Sequence, residues 1–335
     1  MTENKEIFDT TIIGGGPIGL FSAFYAGLRQ MKVRLIESLP QVGGQLKALY
    51  PEKTIFDVAG FPSIKAKELV SVLTKQTLQF DPAVILGQKV EKLKRLPNGV
   101  IELQTKKGEK YLSRTVIITA GVGAFSPRLF KVENVKSYEH DNLYYYVHDI
   151  QQFAGQSVVI LGGGDSAVDW ANALEPIAAQ VTVVHRRNAF RAHESSVRQM
   201  KQSNVKIATP FTAKAIVERG KTIEKLIINE VKGDREMELP LDDLIVNYGF
   251  VSELGPIKDW KLTLDKNSII VNSKMETNIP GVYAAGDIVS YPGKVKLIAT
   301  GFGEAPVAVN NAKHFIDPNA RTQPMHSSSS RLFGQ

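Results

Sequence analysis

Two glycine-rich turns carry the residues best able to do chemistry in this 335-residue sequence. The first, GGGPIG at 14–19, follows an apolar, β-branched run at 8–13 and precedes a helix-like stretch reaching to about residue 30. The run KVRLIE at 32–37 completes a strand–helix–strand pattern that ends on Glu37. In that context Gly14 allows a tight turn, and Gly16, next to Pro17, lets backbone N–H groups approach a pyrophosphate at a helix N-terminus. Gly19 lets the helix pack closely on the strand, and Glu37 accepts from a ribose hydroxyl. The same grammar returns in GGGDSA at 162–167, which supplies Gly162, Gly164, Asp165 and Ser166 between the apolar run 157–161 and a helix-like DWANALEPIAA. Here the slot of Glu37 falls on His185, followed by Arg186 and Arg187. An acid there would repel a 2′-phosphate, whereas two guanidiniums grip it with charge-assisted, partly bidentate hydrogen bonds. Arg191 offers a third contact. The spacing predicts two dinucleotide sites, the second one selective for NADP(H).

Positioning two such turns requires two parallel sheets, so the fold class expected is α/β with two Rossmann-like dinucleotide-binding domains. Alternation of apolar and polar residues over 84–119, around the turns PNG and KKG, predicts a small antiparallel β-meander ending in ITAGVGAF. A similar meander is expected over 205–246. The stretch GVYAAGD at 281–287 and a helix-like run over about 299–315 then resume the first domain. The organisation predicted is a discontinuous first domain, 1–120 with 250–316, into which a second, 121–249, is inserted. Gly121, Gly123 and Gly249 stand at the junctions. Residues 317–335 form a C-terminal extension.

Composition narrows the chemistry. With 43% hydrophobic and 22% charged residues the chain is globular. Its longest apolar stretch, at 17–28, is too short for a membrane span, and the first residues lack a signal-peptide pattern, so no membrane is expected and a cytoplasmic location is. The sequence contains no cysteine, which removes disulfides, thiol nucleophiles and thiolate metal sites, and no metal site is expected. Redox chemistry here needs a bound cofactor. The net charge of +7 is scattered, without the basic and aromatic runs of nucleic-acid binders, although it favours acidic partners.

GGGPIG, the GGQL at 43–46, YPEKTIFDVAGFP at 50–62, GGGDSA, HRRNAFRA at 185–192 and AAGD at 284–287 together make the chain resemble the two-dinucleotide-domain flavoprotein reductases. Within them it resembles the thioredoxin-reductase-like ferredoxin-NADP reductases over essentially its whole length. The resemblance implies FAD in the first domain and NADP(H) in the second. It implies Glu37 on the adenosine ribose, Gln45 and Tyr50 beside the flavin, Val90 at the adenine, Phe125 as a further flavin contact, and Asp287 toward the ribityl-pyrophosphate region. It also implies that the tail PMHSSSS covers the flavin, with His326 stacking and Ser328 in contact, across a homodimer. Thioredoxin reductase itself carries a C-x-x-C shortly before the second fingerprint, where this chain reads DNLYYYVHDI. Without a dithiol, electrons must leave directly from the flavin. The expected function is a FAD-dependent reductase working between NADPH and ferredoxin or flavodoxin, by hydride transfer to flavin N5 and then single-electron transfers, with no side chain acting as acid or base. An NADPH-dependent quinone or ferric-chelate reductase, and a non-catalytic NADP(H)-sensing flavoprotein, remain open as alternatives.

Overall fold

A computed structural model of the chain describes residues 6–132, 138, 141–147 and 149–323, with backbone alone at 124–126, 251 and 252. The chain divides into two compact units, Met1–Ala124 with Ser252–Gln335, and Phe125–Val251. It crosses between them in two short strands, Ala124–Pro127 and Phe250–Glu253, which pair with each other.

In the first unit the strand Ile7–Ile13 runs through the first glycine turn into helix α1 (Pro17–Leu28) and back to the parallel strand Val33–Ile36. Helix α2 (Gly44–Leu49) follows, then α3 (Ala66–Thr77), which buries Leu69, Val70 and Leu73 at helical spacing against the core. The sheet has seven strands, in the order Ala83–Ile85, Val33–Ile36, Ile7–Ile13, Lys110–Ile118, Ile101–Thr105, Val90–Arg95, with Val282–Ala284 also on Lys110–Ile118. Lys110–Ile118 runs parallel to Ile7–Ile13 along one edge and serves two partners along the other. Its first half pairs antiparallel with Ile101–Thr105, Ile101 opposite Ser113, and its second half pairs parallel with Val282–Ala284, Val282 opposite Val116. The returning chain thereby rejoins the sheet it had left. Its core is apolar β-branched and leucine side chains, among them Ile12, Leu35, Leu103 and Ile117, all fully buried.

The second unit holds a five-stranded parallel sheet ordered Leu143–Tyr144, Asp243–Asn247, Ser157–Gly162, Gln180–Val184, Lys206–Ala208. Helix α4 (Asp165–Leu174) follows the second glycine turn, and α5 (Glu194–Gln202) lies beyond it. Ser157–Gly162 is buried along nearly its whole length, as a strand covered on both faces must be. A separate three-stranded meander, Phe211–Arg219, Thr222–Glu230 and Glu236–Pro240, packs Phe211, Leu226 and Ile228 into this unit's own core.

The alternating stretches at 84–119 and 205–246 are therefore not meanders throughout. Ala83–Ile85, Lys206–Ala208 and Asp243–Asn247 pair parallel with their neighbours, and the antiparallel ladders cover only 90–113 and 211–240. Runs of three to five residues give too few positions for periodicity to separate a buried parallel strand from a meander strand. After the return strand comes helix α6 (Ile298–Ile316), and among the described residues no helix is long and apolar enough to cross a membrane.

Candidate functional site: two glycine turns and their flanks

Each glycine turn lies at the C-terminal end of a strand flanked on both sides by parallel neighbours, the place where sheets of this kind bind ligands. In the first unit Gly14 has φ +106°, and a methyl group there would meet the Thr119 carbonyl oxygen at 2.6 Å. A methyl group at Gly19 would sit 1.8 Å from the Gly14 carbonyl oxygen, so the close packing of α1 on the turn tolerates no side chain. Gly16 is different. The nearest atom to a methyl group there is the Gly44 Cα, 4.0 Å away, which leaves backbone approachable from outside. As N-cap of α1, Gly16 supplies no side-chain acceptor, Pro17 follows, and the first turn holds no acid. The amides at this helix start therefore have no acceptor from a cap and favour an anion.

Glu37 is 4% exposed and braces the turn from the neighbouring strand. Its Oε2 accepts from the Gly15 amide at 2.6 Å, and its Oε1 accepts from Leu39 N at 2.8 Å and Ser38 Oγ at 3.0 Å. The Gln88 amide donates to the Glu37 carbonyl at 3.0 Å, which brings Val90, buried at the start of its strand, along the same edge. On the other side the Gly43 amide donates to Gly15 O at 2.8 Å, seating α2 with Gln45 beside the turn. Tyr50 ends α2, and burial, with Asp287 as the second cause, pushes its hydroxyl up to about 12. Asp287 is itself pushed upward by burial, against Lys294 and Lys296, which pull it down, while Glu304 adds to the rise. Tyr50 and Asp287 thus share one electrostatic environment.

The second turn repeats this construction with other residues. A methyl group at Gly162 would lie 2.5 Å from the Asn247 carbonyl oxygen, as Gly14 faces Thr119, and one at Gly163 would lie 2.3 Å from the His185 ring, as Gly15 faces Glu37. The His185 Nε2 is buried and has no hydrogen-bond partner among the described residues, and Phe190 lies 5.3 Å from its ring. Burial, and then the charges of Arg186 and Arg187, hold the imidazole below its usual range against a hydrogen bond with the Ala189 backbone, so it is neutral at pH 7. The loop after His185 folds back onto the turn. The Arg191 amide donates to Gly163 O at 2.7 Å, and the His193 amide to the Asp165 carboxylate at 3.0 Å. Arg186, Arg187 and Arg191 are exposed on that loop, as are Asp165 and Ser166 at the start of α4.

The structure thus gathers Gly14, Gly16, Pro17, Gly19, Glu37, Gln45, Tyr50, Val90 and Asp287 within the first unit. It gathers Gly162, Gly164, Asp165, Ser166, Arg186, Arg187 and Arg191 within the second. Phe125 falls where only backbone is described, and His326 and Ser328 lie outside the described residues. Sequence reasoning missed Thr119, whose hydroxyl donates to Gly14 O at 2.8 Å, and Glu304, which is 4% exposed and accepts from Gly286 N at 2.7 Å. A lone threonine gives no signal in sequence. An acid inside the glycine- and alanine-rich ATGFGEAPVAV of α6 does, because such a helix is otherwise buried.

The sequence matches the family described as pyridine nucleotide-disulphide oxidoreductase over residues 8–312. It is 59% identical over 326 residues to ferredoxin–NADP reductase 2 of Oceanobacillus iheyensis, covering 97% of this chain and 99% of that protein. It is likewise 59% identical over 329 residues to ferredoxin–NADP reductase 2 of Bacillus subtilis, covering 98% of each. Among solved structures it is similar to the thioredoxin reductase of T. acidophilum, with a TM-score of 0.79 and 26% identity over 93% of this chain and 98% of that one. The Lactococcus lactis thioredoxin reductase gives 0.78 at 25% identity over 92% and 99%. The thioredoxin reductases share the fold, but this chain has no cysteine with which to run a dithiol.

Proposed function

We propose, for a chain that belongs to the pyridine nucleotide-disulphide oxidoreductase family, that it is a FAD-dependent ferredoxin–NADP reductase passing electrons between NADPH and ferredoxin. The observation that carries this reading is the pair of glycine turns built alike but flanked by Glu37 in one unit and by His185, Arg186 and Arg187 in the other, on a chain without thiols. The acid suits an unphosphorylated ribose, and the arginines suit a 2′-phosphate. The chemistry FAD supplies when bound is acceptance of a hydride at N5 and release of the two electrons singly. The uncapped, acid-free start of α1 and the open backbone at Gly16 fit its pyrophosphate.

In this reading Gly14, Gly16, Pro17, Gly19 and Glu37 hold the adenosine and pyrophosphate of FAD, and Val90 stands at the adenine. Gln45, Tyr50 and Asp287 stand toward the flavin, and Phe125, His326 and Ser328 complete its surroundings. Gly162, Gly164, Asp165, Ser166, Arg186, Arg187 and Arg191 hold NADP(H). Alignment and water exclusion are the protein's tasks, so no side chain is assigned as acid or base. The carrier is ferredoxin, with flavodoxin as a second acidic carrier that a net charge of +7 would steer inward. The working form is a cytoplasmic homodimer in which the C-terminal residues cover the flavin, a reading supported by the motifs shared with thioredoxin-reductase-like flavoproteins.

The test is anaerobic. NADPH bleaches the flavin of the full chain, and NADPH-dependent cytochrome c reduction rises about tenfold or more when ferredoxin is added. Rapid turnover with quinone or ferric chelate and no response to ferredoxin or flavodoxin would replace this reading with a small-acceptor reductase. A flavin that NADPH does not reduce would make the chain a sensor.

A further inference from the structure

Lys294, on the segment between the return strand and α6, and Glu304, within α6, form an ion pair with side chains 5% and 4% exposed. Glu304 carries three donors. Its Oε1 accepts from Lys294 Nζ and, at 2.6 Å, from the Tyr291 hydroxyl, while its Oε2 accepts from the Gly286 amide at 2.7 Å. Gly286 has φ +86° and belongs to the AAGD turn, whose Ala285 amide is tied to Ile118 O at 3.0 Å. A methyl group at Gly286 would lie 3.2 Å from Ile18 Cγ1, and one at Gly301 would lie 2.5 Å from Ile18 Cδ1. Ile18 sits in the first turn of α1, inside the glycine fingerprint, and Gly301 lies one helical turn before Glu304. Three elements therefore meet here with no slack: the start of α1, the 286–287 turn and α6. Among the described residues Glu304 is the only side chain that ties α6 to the backbone of that turn, and Lys294 and Lys296 are cations that pull Asp287 down.

An isolated buried carboxylate or ammonium is strongly disfavoured, so each partner requires the other. A pair kept at this place, rather than apolar packing, calls for a task that apolar side chains cannot perform. Accepting the Gly286 amide with a carboxylate that Lys294 holds in place is such a task. We propose that the Lys294–Glu304 pair is a positioning device for the flavin site, fixing the Gly286–Asp287 turn against the start of α1 so that FAD meets a preformed surface. This rests on the assignment of FAD to the first unit.

The test uses the full chain freed of flavin and titrated with FAD, together with the visible spectrum of the reloaded protein. Glu304→Gln keeps an acceptor for Gly286 but strands Lys294, and weakens FAD binding about tenfold with a shifted flavin band. Glu304→Ala loses both functions and weakens binding about a hundredfold. The double variant Lys294→Met/Glu304→Gln removes the stranded charge, retains the acceptor, and returns to within about threefold of the native affinity and to the native band. The KM for NADPH, bound in the other unit, stays unchanged in all of them. Native affinity and spectrum in a folded Glu304→Ala variant would overturn the proposal. So would a double variant that folds but binds FAD no better than Glu304→Gln, since the pair would then be structural only. Failure of the native chain to bind FAD at all would instead overturn the assignment of FAD to the first unit.

Discussion

The two glycine turns of this molecule are one design executed twice, and the contrast between them lies in what closes each flank. In the first, the polar side chains of Glu37 and Thr119 are both spent on the protein. Glu37 takes the Gly15 amide, and the Thr119 hydroxyl donates to Gly14 O. In the second, the two corresponding positions hold His185 and Asn247, whose Nε2 and Nδ2 are buried without hydrogen-bond partners among the described residues. The first turn is braced by a fixed negative charge. The second is flanked by a neutral ring followed by exposed arginines on a loop held to the turn by the Arg191 amide. Similar turns are thus followed by strand ends of opposite charge, Glu37 in one unit and Arg186 with Arg187 in the other, which in the proposed reading suits two different adenosines. In the proposed reading the fold supplies the pyrophosphate site and the strand end supplies selectivity.

The largest expected effect breaks the likeness at the third position of the fingerprint. Gly19→Ala puts a methyl group 1.8 Å from the Gly14 carbonyl, and the variant is expected to lose FAD entirely, read as flavin per chain after purification. The opposite exchange, Ala167→Gly in α4, removes a methyl group the second turn already accommodates. It should lower stability by about 1 kcal/mol, the ordinary helix penalty, and leave NADPH kcat/KM within about threefold. Comparable damage from both would mean that the third position is not where the two turns differ.

A smaller effect separates bracing from selectivity. Glu37→Gln keeps one acceptor but loses the charge that serves three donors, and should weaken FAD about ten- to a hundredfold in titrations of the flavin-free protein. His185→Gln in the equivalent slot should change the KM for NADPH by less than threefold, because the neutral ring carries none of the charge recognition. A His185→Gln variant that loses NADPH as severely as an arginine variant would contradict this division.

The smallest effect is on stability. Because the folded His185 sits below its unfolded value of 6.5, the unfolded chain takes up a proton the folded one resists as pH falls. The contribution of this group is therefore intact above about pH 6.5 and lost progressively on acidification. Thermal melts should show a lower midpoint at pH 5.5 than at pH 7.5, and His185→Gln should flatten part of that slope. An unchanged slope would show that His185 protonates in the folded protein without penalty.

Much of this was legible in the sequence because glycine leaves a mark where backbone must come close. Gly14, Gly19 and Gly162 stand where a methyl group collides with a carbonyl, and Gly16 where the space beside the backbone stays open. The return of the chain at 281–287 was legible from a second apolar run followed by a helix. What stayed hidden has a physical reason in each case. Ala83–Ile85 and Lys206–Ala208 are too short to have a period, and α2 is six residues beginning in two positive-φ glycines. Glu37 reads as a ribose ligand in sequence, yet its hold on the Gly15 amide needs coordinates. The Lys294–Glu304 pair joins positions whose proximity depends on a loop that carries no periodic signal.

The measurement that bears most directly on the central claim compares NADPH with NADH, with ferredoxin as acceptor, in the native chain and in Arg186→Ala/Arg187→Ala. Two charge-assisted contacts of about 1.5 to 3 kcal/mol each predict that the variant loses about a hundredfold or more in kcat/KM for NADPH, with NADH nearly unchanged and FAD content still one per chain. Equal losses with both nucleotides, or loss of FAD alongside NADPH, would contradict the account and make the arginines part of the scaffold.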